Sequence, residues 1–489
     1  MSNPRAVLNR HFVSPAASLE SLEPRQLLAF TPDFGLVISG ANQQAVRDIA
    51  TDSVGNSYVV GTIGGSTDFD PARRRTTLLD PVNGSGYVAK YSASGRLLWA
   101  QSLLTTPAQV AVDPRGNIFI AGSFAGEVDF DTRGASSFPL TSSDEGQDGF
   151  VLKLDANGAF LSANQFTAGH DTVVTGIGLD PEGYLFVSAT SESGMLQATP
   201  FHGGEDDEEH HDGGIITKFN ARLRNVFLNT LAGEEADIDT AGMAIDPTDG
   251  GVYLIGVAEA GTDLDPSALV LRNVRHATAY LLKLDSAGDY MWHTGYSPSS
   301  VNLGAVTVDS AGNAILVGSF HETLDFNPAT RRTFEITAES VEDSFIAKFS
   351  SAGKLAFAHN IGGGGNSHAS SVEVFGDDVI VGGLFAGRCD FNPGRATFRL
   401  TSVGSFDGFV SRFNTQDEFD DAFQYGNETG ESSPVLAMSR AGLVIGGSLA
   451  GKSTPAGGVG VVDFDPGAGV LELTPRRNDG GDGFIVRYS

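Results

Sequence analysis

The chain has one cysteine, Cys389, among 489 residues, so no intramolecular disulfide holds it together. Tryptophan is nearly as scarce, at Trp99 and Trp292 only. No apolar run approaches the ~18 residues that a membrane-crossing helix requires, which argues against membrane insertion by that route. Basic residues are outnumbered: 31 Lys and Arg against 60 Asp and Glu leave a formal charge of −29. A surface of that sign repels phosphate backbones and anionic lipid, so nucleic acid and membrane surfaces are excluded as fitting partners, while cations are attracted. There is no zinc-hydrolase His pair, no nucleophile elbow and no Cys/His arrangement. Near the N-terminus, Arg5, Arg10 and His11 are followed by no apolar core of about seven residues, so a standard secretory signal is missing.

What the chain has in excess is glycine, 62 residues, roughly twice the usual ~7%. That suits a chain of short strands and tight turns, and a hydrophobic content of 40% suffices for a continuous core. A search for internal repeats finds seven units, starting near Val46, Ala108, Val174, Ala241, Gly304, Ser370 and Pro434, roughly sixty to sixty-seven residues apart. Each opens on an alternating run with large apolar residues at i and i+2 and a small one between, which is strand periodicity: Ile49 to Asp52, Val110 to Asp113, Ile177 to Asp180, Met243 to Asp246 and Val306 to Asp309. The sixth and seventh units depart, with Val372-Glu373-Val374-Phe375 and Leu436-Ala437-Met438-Ser439. The small middle residue fits a strand crowded near an axis. The aspartates that follow precede glycine turns and are read as Asx turns.

A second apolar run, a third ending in Lys or Arg (Lys90, Lys153, Lys218, Lys283, Lys348, Arg412, Arg487) and a fourth complete each unit. The seventh lacks its fourth run because the chain ends at Ser489, and Phe34 to Ser39 is the obvious donor. The expectation is an all-β chain: a seven-bladed β-propeller of four-stranded antiparallel blades over 31–489, closed by an N-terminal strand joining the last blade. Residues 1–30 stand apart as a targeting or disordered segment.

The units resemble the bacterial seven-bladed β-propeller repeat, most closely at Asp52 to Gly61 with Gly86 to Trp99, and at Asp309 to Gly318 with Asp343 to Gly353. The stretch Leu22-Glu23-Pro24-Arg25-Gln26-Leu27-Leu28 is similar to a Leu-Glu-Pro-Arg-x-Leu-Leu segment at the front of many large bacterial proteins thought to be exported or surface-associated. The resemblance implies the propeller fold and an extracellular or cell-surface location in a bacterium; it implies no particular activity.

Six units share a polar motif after the second strand: Asp68-Phe69-Asp70, Asp129-Phe130-Asp131, Asp263-Leu264-Asp265, Asp325-Phe326-Asn327, Asp390-Phe391-Asn392 and Asp463-Phe464-Asp465. Two oxygen side chains around a core-directed aromatic, in an acidic protein, are candidate Ca²⁺ ligands, with Asp148, Asp343, Asp407 and Asp482 placed to complete such sites. The alternative is architectural: a turn at Asp-Pro or Asn-Pro, with the third-strand Lys and Arg residues neutralising the carboxylates. Blade three replaces the motif with His202, Asp206, His210 and His211 in a run of glycines and carboxylates, a candidate transition-metal loop or simply a solvated acidic one. Gly446 to Ser453 fits the phosphate-loop pattern letter for letter. It is rejected, because Gly451 is the repeat's own glycine and Thr454 to Gly458 cannot begin the helix a phosphate needs. Cys389 is read as a small core residue and the two tryptophans as inter-blade packing.

The functional expectation is a monomeric, exported, non-enzymatic scaffold whose loops bind a protein or a polysaccharide, with Ca²⁺ as the one cofactor considered. The rival expectations are a polysaccharide lyase or glycosidase with its site at the central channel, and a purely structural surface component. Fold alone does not choose among them.

Overall fold

The computed structural model describes residues 30–489 apart from 41, 71–77, 80–85, 134–135, 144–145, 168–170, 193–212, 232–236, 267–273, 329–331, 429–430, 450–459 and 476–480. Each repeat forms one antiparallel sheet of four consecutive strands. In blade one these are Gln44–Thr51, Ser57–Ile63, Gly86–Tyr91 and Leu97–Leu103; in blade two, Thr106–Val112, Ile118–Phe124, Asp148–Leu154 and Phe160–Phe166. Blades three to six begin at Asp171–Leu179, Ile238–Ile245, Val301–Val308 and Gly365–Phe375 and repeat the same order outwards. The seven-bladed all-β propeller expected from the repeats is therefore the fold.

Ring closure also follows the sequence. The last three strands, Val435–Ser439, Gly442–Leu449 and Asp482–Tyr488, are completed by Pro32–Gly40, in which Leu36 faces Ile485 and Val37 faces Phe484. Ile38 in this strand is fully buried. Phe30, just ahead of it, packs on Phe423 with ring centroids 4.9 Å apart, so the core extends one residue beyond the expected boundary. A closing strand drawn from the far end of the chain covers the edge that the third strand of the last blade would otherwise expose.

Each blade buries both faces against its neighbours, so its middle strands are apolar throughout, as in Ile118, Phe119, Ile120 and Ala121 of blade two. The first strands line the axis, and there the ladder is interrupted in six of the seven blades. Pairing skips one residue between Val46 and Asp48, Pro107 and Gln109, Val174 and Gly176, Thr240 and Gly242, Leu303 and Ala305, and Ala369 and Ser371. These bulges bend each inner strand and bring blades close: a Cβ on Gly304 would lie 2.2 Å from the carbonyl oxygen of Ala369 in the next blade. The turns after the first strands are Asx turns. Asp113, for example, accepts the N–H groups of Arg115 and Asn117, each at 2.9 Å, around Gly116 at φ 84°.

Candidate functional site

The repeated acidic motif braces a hairpin. Oδ1 of Asp129 accepts the N–H groups of Asp131 (3.0 Å) and Phe138 (2.9 Å), and its Oδ2 accepts the Ser137 hydroxyl (2.8 Å). These bonds to the charged form hold the Asp129 carboxyl below its usual range. Asp325 binds the N–H groups of Asn327 and Phe334, Asp390 those of Asn392 and Phe398, and Asp463 those of Asp465 and Leu471. Asp68 and Asp263 hold Asp70 and Asp265 in the same way. The central residues Phe69, Phe130, Leu264, Phe326, Phe391 and Phe464 are buried, and in three blades a tyrosine hydroxyl donates to the motif's own carbonyl: Tyr91 to Phe69, Tyr296 to Phe326 and Tyr488 to Phe464.

The aspartates opening the third strands hold loops of their own, as Asp148 does with Ser143 and Asp407 with Val403 and Gly404. Among the described residues no group of three or more His, Cys, Asp or Glu side chains comes together as a metal site. The blade-three residues His202, Asp206, His210 and His211 lie outside the described residues, as does the second half of the phosphate-loop look-alike.

The third-strand cations do not neutralise this motif, contrary to expectation. Lys218 pairs with Asp180 at 3.2 Å, Lys283 with Asp246 at 2.7 Å and Lys348 with Asp309 at 2.8 Å. All three aspartates belong to the turns after the first strands. The reason is geometric: a third-strand residue lies across the second strand from that turn, whereas the acidic hairpin hangs from the second strand's opposite end. Several of these cations also reach the following blade. Lys90 donates to the carbonyl of Ala156, Lys153 to Ala221, Lys218 to Ser286, Lys348 to Thr415 and Arg487 to Gly55 across the seam. Trp99 and Trp292 do likewise, through indole N–H bonds to Ala156 and Ser351. Cys389 is wholly buried, and burial pushes its thiol up to about 12.

The place where unlike chemistry converges is the ring axis. A cavity of about 230 Å³ is lined by inner-strand residues of all seven blades, largely those at the bulges. Most are small or apolar. The exceptions are Asp48 of blade one, Gln109 of blade two, Thr175 of blade three, and Ser370, Ser371 and Glu373 of blade six. Asp48 is anchored by the N–H groups of Val110 (2.8 Å, from blade two) and Ile49 (2.8 Å). Glu373 receives no hydrogen bond from any described residue, and the hydroxyls of Ser370 and Ser371 are buried without a partner.

Among the described residues no Lys, Arg or His lines the cavity. Enclosure by protein raises the Asp48 carboxyl to about 7, against the pull of its two N–H donors. Burial, reinforced by the charge of Asp48, raises Glu373 to about 8. Both side chains keep some accessible surface, but it opens onto the lumen, where burial still dominates.

Sequence reasoning passed over both residues. The signal was present in register: Glu373 stands where the other units carry Ala50, Ala111, Gly178, Ala244, Thr307 and Ala437, and Asp48 where they carry Gln109, Gly176, Gly242, Ala305, Ser371 and Val435. An acid in a column of small or neutral residues beside an axis is a site candidate.

No protein-family model and no curated protein matches the chain. Among solved structures, a protein of unknown function from Dyadobacter fermentans is similar at 9% identity and TM-score 0.41, over 94% of this chain and 99% of that one. An ulvan lyase, a polysaccharide lyase, is similar at 8% identity and TM-score 0.39, over 81% and 97%. BamB from Moraxella catarrhalis follows at 11% and 0.35, over 95% of each chain. Likenesses this distant carry no argument about ligand or activity, and the fold assignment rests on the chain's own strands.

Proposed function

We propose that the protein is an exported, surface-located scaffold that binds a protein or polysaccharide through its loops without turning it over. The observation that carries this reading is the size of the axial cavity. At about 230 Å³ it falls below the ~300–1,000 Å³ of ordinary organic-ligand pockets, so it is small for taking in a segment of a polysaccharide. The loops offer more. Those leading into the third strands of blades five and six present Val341 (75% exposed), Val403 (63%) and Phe406 (42%) on neighbouring blades, apolar side chains held on a rigid disc. Export is supported by the acidic charge and by the Leu22 to Leu28 segment.

A glycan and protein binding screen, run with and without Ca²⁺, tests the reading. The expected result is saturable binding with the ligand recovered unchanged, weakened at least tenfold in Val341→Asp/Phe406→Asp. New reducing ends or unsaturated sugars released from a bound polysaccharide would instead identify a hydrolase or lyase.

A further inference from the structure

Two carboxyl groups line one axial lumen, partly open to solvent, in which no Lys, Arg or His among the described residues faces them. Asp48 approaches it from blade one and Glu373 from blade six, with blade seven between them contributing only Val435 and Leu436. Ionising both would bring two like charges together beside the axis, which favours retaining a proton on one of them or admitting a cation. The remaining polar groups there, Gln109, Thr175, Ser370 and Ser371, add neutral oxygens but no positive charge. Thr175 is already engaged with Ser188 and Thr240, whereas Glu373 and the Ser370 and Ser371 hydroxyls are not hydrogen-bonded. At ~30 Å³ per water, the cavity has room for about seven, enough for a small ion keeping part of its hydration shell.

We propose that the axial lumen is a binding site for one hydrated divalent metal cation, held by Asp48 and Glu373 with the side-chain oxygen of Gln109 and water. All these donors are hard oxygens, which suit Ca²⁺ or Mg²⁺. The two carboxyls come from blades that are not adjacent, so the cation ties blades one and six across the seam where the chain ends meet. Raised carboxyls give the site a signature: at neutral pH the cation displaces protons, which leave to solvent as it enters. This site is independent of whatever the loops bind.

The test is calorimetric titration of CaCl₂, and separately MgCl₂, into chelator-stripped full-length protein at pH 7.5, in two buffers of different ionisation enthalpy. The expected result is one ion per chain with release of about one to two protons, and affinity rising about tenfold or more from pH 6.5 to 8.5. Glu373→Gln and Asp48→Asn should each weaken binding at least tenfold, while Asp129→Asn with Asp131→Asn leaves it unchanged. Absence of stoichiometric binding at millimolar metal, binding without proton release, or loss of binding only in the hairpin variant would each overturn the proposal. Should Asp48→Asn fail to fold, Glu373→Gln and the wild-type pH dependence still decide it, since Glu373 makes no hydrogen bond whose loss would disturb the ring.

Discussion

At the scale of single residues, the ring contains two opposite treatments of charge. Lys283 and Asp246 are both almost fully buried and in contact, and Asp249 adds a second carboxylate at 2.9 Å. Burial alone would lower the lysine and raise the aspartate, but their mutual hydrogen bond, with Asp249 on the lysine and Thr248 on Asp246, reverses both directions. Removing one partner strands the other, so Lys283→Met should cost about 3–5 kcal/mol in urea unfolding, and Lys283→Met with Asp246→Asn should recover most of it. Glu373 is the other case, an acid with no partner.

Its raised folded value means that the native state keeps a proton which the unfolded chain releases near pH 4–5, as Asp48 does at a lower value. Stability from both groups is therefore fully present at low pH and is lost as pH rises towards about 8. In metal-free buffer the melting temperature should fall by a few degrees between pH 5.5 and 8.5, and Glu373→Gln should flatten that slope. A melting temperature rising over this interval would contradict the assignment.

At the scale of elements, the acidic hairpins are built from backbone N–H groups and one aromatic. Asp390→Ala removes an acceptor for Asn392 and Phe398 and should destabilise by about 1–2 kcal/mol, with Asp390→Asn costing less because one acceptor oxygen remains. If the hairpins are purely architectural, stripping metal with a chelator should affect the melting temperature of Asp390→Asn and of wild type equally. Periodicity made this motif conspicuous, but it could not show where its oxygens point. Asp129, for instance, turns one oxygen to the N–H of Phe138, nine residues on. The lysines teach the same lesson: their recurrence was visible, but their partners depended on which end of the second strand each turn occupies.

At the scale of the whole molecule, the seam joins strands from opposite ends of the chain. The closing strand Pro32–Gly40 buries Ile38 and pairs along Asp482–Tyr488, and Arg487 crosses the seam to Gly55 and Ala93. Ile38→Ala should cost about 2–5 kcal/mol and speed unfolding. A truncation removing Pro32–Gly40 should leave an exposed strand edge and a protein that self-associates, as size-exclusion chromatography would reveal.

The sequence by itself determined the seven units, their strand order, the N-terminal closing strand and the buried slot of Cys389, because these follow from local periodicity and from the need of every blade to bury both faces. Only the tertiary structure decided what the charged residues do. Asp48 and Glu373 lie 325 positions apart (373 − 48), each unremarkable in its own strand. They come together because seven inner strands, six of them bulged, converge on one axis and turn both acids toward a lumen that no Lys, Arg or His among the described residues lines.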